Sequence, residues 1–250
     1  MRLFDTHCHL FMTPLGNHLD EVLGRSRAAG VERLIIPSTD RDSIYRCLSL
    51  KSLPGVSLAL GIHPWHADEG VDIPFLRKSI REVGACAIGE IGLDWKAGAA
   101  GKLQKTVFRS QLELAGELAL PVILHCRNAF EEMLGILSEY ELRGVIHAWS
   151  RSPELMGRFL DLGFHISFGG AVTRQGAVRA GKSACQVPSD KFVLETDSPS
   201  MGMSGIPSGE SEPAHLKQVA EAMAARRGVS AELVALQSWR NSVELFGKLR

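Results

Sequence analysis

Short apolar runs alternate with longer amphipathic segments along the chain. The apolar runs are rich in Val, Ile and Leu, which favours buried strands, and they occupy residues 2–7, 31–37, 56–62, 85–93, 121–125, 144–148, 164–168 and 191–197. The amphipathic segments carry apolar residues at a spacing of three or four, which predicts helices over residues 18–30, 73–84, 103–120, 130–140, 153–163, 212–228 and 230–248. Residues 38–52 fill the remaining helical slot less clearly.

This alternation predicts an α/β protein with parallel strands joined by right-handed crossovers. Eight strands in 250 residues favour a closed (β/α)8 TIM barrel, a single domain over residues 1–250, rather than an open sheet. No GxGxxG or GxxxxGK-S/T pattern follows a strand, which disfavours a nucleotide-cofactor fold. Residues 201–213, rich in Gly, Ser and Pro, follow the last strand and are expected to lie over the mouth of the barrel.

Charge and cysteine content narrow the classes of function. Lys and Arg number 28, as do Asp and Glu, so the net charge is zero and no strongly basic nucleic-acid-binding domain is indicated. A polyanion would have to bind through a local patch or through bound metal. The five cysteines form no CxxC pair, which suits a reducing compartment. Neither a signal peptide nor an apolar run of about 18 residues is seen, so we expect a cytoplasmic protein outside the membrane.

Acidic and imidazole side chains collect where the apolar strands end. The first strand would place Asp5, His7 and His9 on one face, because alternate side chains of a strand point the same way. The complete set is Asp5, His7, His9, His63, Glu90, Asp94, His125, His147, Glu195 and Asp197. In a (β/α)8 barrel the carboxyl ends of the strands form the rim on which active sites are built.

A single histidine at a strand end is more often a hydrogen-bonded core residue than a ligand. Histidines at the ends of four different strands instead favour a shared metal site, because a divalent cation offsets the cost of burying so many polar groups. Mixed N and O ligands suit Zn, Mn, Fe or Co, and the carboxylates leave Mg open. Six ligands exceed one tetrahedral ion, so we predict a two-metal centre bridged by Glu90, of the kind that activates water for phosphoryl displacement.

With these residues in place, the chain resembles the TatD family of metal-dependent hydrolases. The motifs DTHCHL, GIHP, GEIGLD, LPVILHCR, IHAWS and LETDSP occur in the family's order over nearly the full chain. The resemblance implies a TIM barrel, two divalent metal ions (Mg, Mn or Zn) and DNase activity, usually 3′–5′ exonuclease action on single-stranded DNA and sometimes on RNA. Nucleic-acid 3′ ends would then be the partner, and a monomer is compatible with this reading.

The same resemblance implies roles for individual residues. His7, His9, Glu90 and Asp197 would bind one metal, and Glu90 with His125 and His147 would bind the other. His63 and Glu195 match positions that the family uses near the substrate, and Asp197 would also orient the attacking water. The departures from the family pattern fall in the loops that face the substrate. They are Trp95-Lys96, Asn128, residues 148–151 and residues 209–213.

Those loops nevertheless offer a surface for nucleic acid. Trp65, Trp95 and Trp149 each follow a rim motif, where an exposed indole would stack on a base with about 1–3 kcal/mol per base. The alternative is that these tryptophans pack a loop against the barrel. The basic residues expected to contact phosphates are Lys96, Lys102, Arg127 and Arg151.

Two other functions remain open from the sequence. The same metal site would serve a hydrolase of small esters, lactones or amides, or an aminoacyl-tRNA deacylase. A non-catalytic binding protein built on the barrel is disfavoured, because all six predicted metal ligands are present.

Overall fold

The computed structural model describes residues 1–247 as eight parallel strands surrounded by helices. The strands are β1 Leu3–Asp5, β2 Val31–Pro37, β3 Val56–Ala59, β4 Ile88–Asp94, β5 Val122–Arg127, β6 Gly144–Ile146, β7 His165–Phe168 and β8 Phe192–Leu194. The helices are α1 Leu19–Ala28, α2 Arg41–Leu50, α3 Ile73–Val83, α4 Gly101–Leu118, α5 Phe130–Leu137, α6 Pro153–Asp161, α7 Val178–Gln186, α8 Leu216–Arg227 and α9 Ala231–Phe246. Short 3₁₀ turns cover Leu15–His18, Pro64–Glu69, Gly170–Thr173 and Pro213–His215.

Backbone hydrogen bonds close the strands into a barrel. Regular pairing joins neighbouring strands in sequence order, in one run from β1 through β3 and in another from β4 through β8. Between β3 and β4, the Cys86 N–H donates to the Leu58 carbonyl over 2.9 Å. Between β8 and β1, the Thr6 N–H donates to Leu194 and the Asp197 N–H donates to His7, over 3.1 and 2.8 Å. The predicted TIM-barrel class is confirmed, since both seams between the two runs are bonded.

Apolar side chains fill the lower interior of the barrel. Alternate strand positions supply this cluster, and the last turn of α9 packs into it with Leu245 and Phe246. The strand members are Phe4, Ile35, Ala59, Ile123, Val145 and Val193. A larger cluster packs the outer face of the strands against the helices. The apolar lower half leaves the opposite, C-terminal end of the barrel for polar groups.

Most predicted elements are present, with ends shifted by a few residues. Residues 38–52 contain α2, whose start is fixed by a reciprocal cap: Asp40 Oδ1 accepts from the Ser43 N–H over 2.6 Å and Ser43 Oγ accepts from the Asp40 N–H over 2.8 Å. Helix α7 was not predicted, because its buried face consists of Ala, Gly and Ser rather than large apolar residues. Residue 248, the end of the last predicted helix, lies outside the described residues.

Within residues 1–247, no helix combines the length and the apolar character that crossing a bilayer requires. The loop that follows β8 does reach the mouth of the barrel, as expected for residues 201–213, because Met201, Gly202 and Ser208 line a cavity there.

Candidate metal centre

Six polar side chains meet over the C-terminal ends of the strands. His7 and His9 follow β1, Glu90 lies within β4, His125 lies within β5, and the other two, His147 and Asp197, follow β6 and β8. Strand β1 ends at Asp5, so His7 and His9 lie on irregular chain rather than on one face of a strand. Their side chains still converge, and five of the six residues are buried while His125 is half-buried.

Glu90 lies at the centre of this cluster and uses its two oxygens on different neighbours. Oε2 lies 3.2 Å from His7 Nε2 and 3.7 Å from His9 Nε2. Oε1 lies 2.9 Å from both His125 Nδ1 and His147 Nε2. One carboxylate therefore faces two separate groups of imidazoles, which is the arrangement that a bridging ligand needs.

The first group consists of His7, His9 and Asp197. The Nε2 atoms of the two histidines are 3.2 Å apart. Asp197 Oδ1 lies 3.7 Å from His7 Nε2 and 3.4 Å from His9 Nε2. On its far side, His9 directs Nδ1 at the Pro37 carbonyl over 3.2 Å, so Nδ1 carries the proton and the Nε2 lone pair faces the cluster.

The second group consists of His125 and His147, whose Nδ1 and Nε2 atoms are 3.2 Å apart. His125 Nε2 lies 3.2 Å from Asp94 Oδ2, so the carboxylate holds the proton on Nε2 and leaves the Nδ1 lone pair for a ligand. Behind His147, Glu195 Oε1 lies 3.6 Å from Nδ1. Carboxylates behind metal-binding histidines orient the ring and raise its basicity.

These contacts fit divalent cations better than a network of hydrogen bonds. Two nitrogen–nitrogen contacts of 3.2 Å, one between His7 and His9 and one between His125 and His147, bring ring lone pairs together. A proton between the two rings of each pair would still leave other acceptor atoms of the cluster without a hydrogen-bond donor. Cations placed between the rings would accept these lone pairs, and the mixture of imidazole and carboxylate donors suits Zn or Mn, with Mg open.

The pKa values of the cluster also favour bound cations. Burial raises the pKa of Glu90, but the nearby His147, His63 and His7 more than offset it and hold that pKa well below its usual range. Burial lowers the pKa of His147, while Glu90 and Glu195 together raise it well above its usual value. Protons thus occupy positions on the imidazoles that a cation would take.

His63 differs from the other rim histidines. The Trp65 N–H donates to His63 Nδ1 over 3.1 Å, so the proton lies on Nε2, which faces Glu90 Oε1 at 3.3 Å. Burial lowers the pKa of His63 to about 4, which keeps the ring neutral. His63 therefore presents a hydrogen-bond donor to the cluster rather than a lone pair.

Glu195 lies beneath the cluster and not at the surface that a substrate would reach. It is fully buried, and its oxygens accept from the Ala148 N–H and from Ser167 Oγ, each over 2.6 Å. The expectation that Glu195 acts next to the substrate is therefore corrected: its position supports His147 from behind. Ser167, on β7, was not singled out from the sequence because a serine within an apolar strand carries no spacing signal.

The three tryptophans divide into two kinds. Trp149 is 1% exposed and packs edge-on against Phe130 and Phe159, so no face is free to stack on a base and that prediction is wrong. Trp65 is 48% exposed and Trp95 is 40% exposed. Trp65 is also held in place, because its Nε1 donates to Asp94 Oδ2 over 2.8 Å.

The basic residues predicted to contact phosphates are spread around the mouth. Lys96 and Lys102 are exposed and border an open cavity beside Trp95 and α4. Arg127 and Arg151 border a different cavity, together with Arg174, which the sequence did not single out. Their contacts with substrate, like those of Trp65 and Trp95, stay predictions.

Two cavities meet at this cluster, and His125, His147 and Asp197 form their shared floor. One, of about 370 Å³, is bordered by residues from the loops after β1, β2 and β3, and we name it the carboxylate lobe. Its distinguishing side chains are Phe11, Met12, Asp40, Asp42, Arg46 and His66. The other, of about 470 Å³, is the arginine lobe, bordered by Arg127, Arg151 and Arg174. His66, which follows no strand end in the sequence pattern, also borders the carboxylate lobe.

Comparison with known proteins places these features in a family. The sequence model of the family described as TatD related DNase matches residues 4–247. The metal-dependent hydrolase YcfH of Escherichia coli is 34% identical over 98% of this chain and 96% of its own length. The 3′-5′ ssDNA/RNA exonuclease TatD of Erwinia billingiae is 32% identical over 98% of both chains. The crystal structure of the TatD homologue YjjV from Escherichia coli matches over 98% of both chains, with a TM-score of 0.92 and 29% identity.

Proposed function

This chain belongs to the family of TatD-related DNases, and from that membership we propose that it removes nucleotides from the 3′ ends of single-stranded DNA, with RNA as a second substrate. Membership makes it a metal-dependent hydrolase. The exonuclease activity is stated for the relative from Erwinia billingiae, and the proposal extends it to this chain.

The observation that carries the proposal is the position of Glu90 between two groups of ligands. His7, His9 and Asp197 lie on its Oε2 side, and His125 and His147 lie on its Oε1 side. We propose that each side holds one divalent ion, with Mg, Mn or Zn as the candidates. Ions in such a pair of sites activate a water and neutralise charge on a phosphodiester.

The side chains around the ions have separate tasks in this reaction. Asp197, at the border of both lobes, would accept a proton from the attacking water. The water oxygen would bond to phosphorus while the bond from phosphorus to the 3′ oxygen of the preceding nucleotide breaks, and that oxygen would take a proton from solvent. His63, neutral and protonated on Nε2, would donate a hydrogen bond to the substrate phosphate. The exposed ring of Trp65 would pack against a base.

A substrate panel tests the proposal. Protein loaded with Mn²⁺, Mg²⁺ or Zn²⁺ is incubated with 5′-labelled single-stranded DNA and RNA and, separately, with simple carboxylic esters. The oligonucleotides are about 12 nucleotides long, within the range of lengths that single-strand-binding channels cover. We expect stepwise shortening from the 3′ end and release of 5′-mononucleotides. Turnover of the esters with intact oligonucleotides would instead support the small-molecule hydrolase. Glu90→Gln, equal in shape but uncharged, is the inactive control.

The location and the oligomeric state that we propose for the protein follow from the sequence. We propose a cytoplasmic location, and a monomer suffices for the reaction because all the residues invoked come from one chain. All five cysteines are free thiols, which is compatible with that compartment.

A further inference from the structure

The two lobes that meet at the metal cluster carry opposite charge. Apart from the ligands on their shared floor, the carboxylate lobe is bordered by Asp40 and Asp42 against the single guanidinium of Arg46. The arginine lobe has three guanidinium groups, and the only carboxylate among the described residues that border it is the ligand Asp197. A chain of phosphates would therefore be repelled on one side of the cluster and attracted on the other.

The arginines of the arginine lobe are free to bind an anion. Among the described residues, none of the three has a carboxylate within 4.0 Å, whereas Arg77, Arg109 and Arg158 on the outer helices each pair with a glutamate. Arg174 Nη2 donates to the Gly202 carbonyl over 2.8 Å. Arg151 lies over the ring of Phe130 and donates to Asn128 Oδ1 over 3.1 Å. These contacts hold the guanidinium groups of Arg151 and Arg174 in place without neutralising them.

In the carboxylate lobe, Asp40 is also held in place. Asp40 accepts the Ser43 N–H at the start of α2, and its Oδ2 lies 3.6 Å from His66 Nε2. It cannot swing away from a bound anion without uncapping the helix. Phe11 and Met12 form an apolar part of the lobe's wall, and Trp65 borders both lobes. Such a lobe suits an uncharged base and sugar better than a phosphate.

We infer that the carboxylate lobe holds the terminal nucleoside and selects a 3′-hydroxyl end over a 3′-phosphate end, while the arginine lobe holds the continuing strand. This inference rests on the proposed exonuclease function. On the 3′ side of the scissile phosphate, the last nucleoside of a 3′-hydroxyl end carries no further phosphate. On the other side the strand carries one negative charge per nucleotide. The charges of the two lobes match these two halves of the substrate and set its direction.

A comparison of end groups tests the inference. Metal-loaded protein is given two 5′-labelled oligonucleotides of the same sequence, one ending in a 3′-hydroxyl and the other in a 3′-phosphate, and bis(p-nitrophenyl) phosphate as a minimal phosphodiester. We expect kcat/KM to be at least ~10-fold lower for the 3′-phosphate end, because juxtaposed like charges are penalised. Fluorescence anisotropy with the metal-free protein in EDTA gives a second readout, in which the 3′-phosphate oligonucleotide binds more weakly.

Variants assign the selection to the named residues. The double variant Asp40→Asn/Asp42→Asn should bring the ratio between the two ends towards one, since Asn keeps the helix cap but removes the charge. Glu113→Gln, which removes an exposed carboxylate on α4, should leave the ratio unchanged. If the double variant does not fold, as judged by its thermal unfolding, Asp42→Asn alone makes the test, because Asp42 is exposed.

The arginine lobe is tested with substrate length. Arg151→Gln/Arg174→Gln should raise KM for the oligonucleotide and leave KM for bis(p-nitrophenyl) phosphate nearly unchanged, with the exposed Arg240→Gln as the matched control. Equal cleavage of both ends by the wild-type protein, or a ratio that the Asp40/Asp42 variants do not change, would overturn the inference alone. Absence of turnover on every phosphodiester would overturn the proposed function as well.

Discussion

The Nε2 atom of His125 lies 3.2 Å from Oδ2 of Asp94, so Asp94 fixes the side of the ring that faces the metal cluster. The same carboxylate accepts from Trp65 Nε1 and from the N–H groups of Lys96 and Ala97. Asp94 therefore joins His125, a candidate ligand of the second proposed ion, to Trp65 and to the loop of Lys96 and Ala97. A substitution there is expected to affect metal binding and substrate binding together.

Asp94→Asn should weaken binding of one of two metal ions by about 10–100-fold, the usual effect of removing a carboxylate behind a metal-binding histidine. The amide keeps the size of the side chain but no longer favours the required tautomer of His125. Titration calorimetry with Mn²⁺ or Zn²⁺ measures the change, with the exposed Asp161→Asn as the control. Two unchanged binding steps in Asp94→Asn would show that His125 needs no such support.

Glu90→Ala should abolish hydrolysis and metal uptake together, because both groups of imidazoles face this one carboxylate. Elemental analysis after dialysis should find close to two ions per wild-type chain and fewer than one in the variant. A variant that keeps near-normal turnover would refute the bridging role of Glu90.

Metal binding should depend on pH. In the metal-free cluster burial lowers the pKa of His9, His125 and His147, but contacts with Asp197, Asp94, Glu90 and Glu195 raise it above the usual value. The stability from these protonated contacts is present below about pH 6.5 and is lost as the pH rises through the raised pKa values. A cation displaces the protons, so its affinity should grow as the pH rises.

Thermal unfolding with and without Mn²⁺, measured from about pH 5.5 to pH 8 across the histidine range, checks this expectation. The increase in Tm on adding metal should become larger with pH. An increase that is the same at every pH would mean that binding releases no protons from these histidines.

Trp95→Ala should weaken binding of single-stranded DNA by about 1–3 kcal/mol, the range for losing one stacked base. KM for the oligonucleotide should rise while kinetics on bis(p-nitrophenyl) phosphate stay close to wild type. Leu233→Ala on α9 removes an apolar side chain with the same exposed fraction, 40%, and serves as the control. Equal losses on both substrates would argue against stacking.

Phe246→Ala should lower the free energy of unfolding by roughly 3 kcal/mol or more, because it empties part of the apolar cluster at the lower end of the barrel. Phe246 is 5% exposed, whereas Leu236 on the same helix is 45% exposed. Leu236→Ala should therefore cost less than about 0.5 kcal/mol. Urea denaturation of both variants separates the two effects, and similar losses would show that α9 does not anchor the barrel through its last turn.

The sequence predicts the strands and the polar rim well, because polar residues at the ends of apolar runs mark the place where parallel strands end together. His7, His9, Glu90, His125, His147 and Asp197 are named from that pattern and from the family motifs, and the structure brings them into one cluster. The start of α2 is also readable from Asp40 and Ser43, which cap it locally.

Features that depend on side-chain packing are not readable in this way. Trp149 follows a rim motif as Trp65 does, but its ring packs against Phe130 of α5 and Phe159 of α6, a contact that depends on how these helices pack. Glu195 is two residues from Asp197, yet it points beneath the cluster because Ser167 and the Ala148 N–H bind it there. Helix α7 is missed because small residues pack closely without leaving an apolar periodicity.

The seam between β1 and β8 has a consequence for biosynthesis. His7 and Asp197 are nearly two hundred positions apart, and the hydrogen bond from the Asp197 N–H to the His7 carbonyl joins the earliest and latest strands to be translated. His7 and His9 are thus synthesised long before Asp197, the last of the six residues of the cluster. The proposed metal centre can therefore be complete only after β8 and Asp197 have been synthesised.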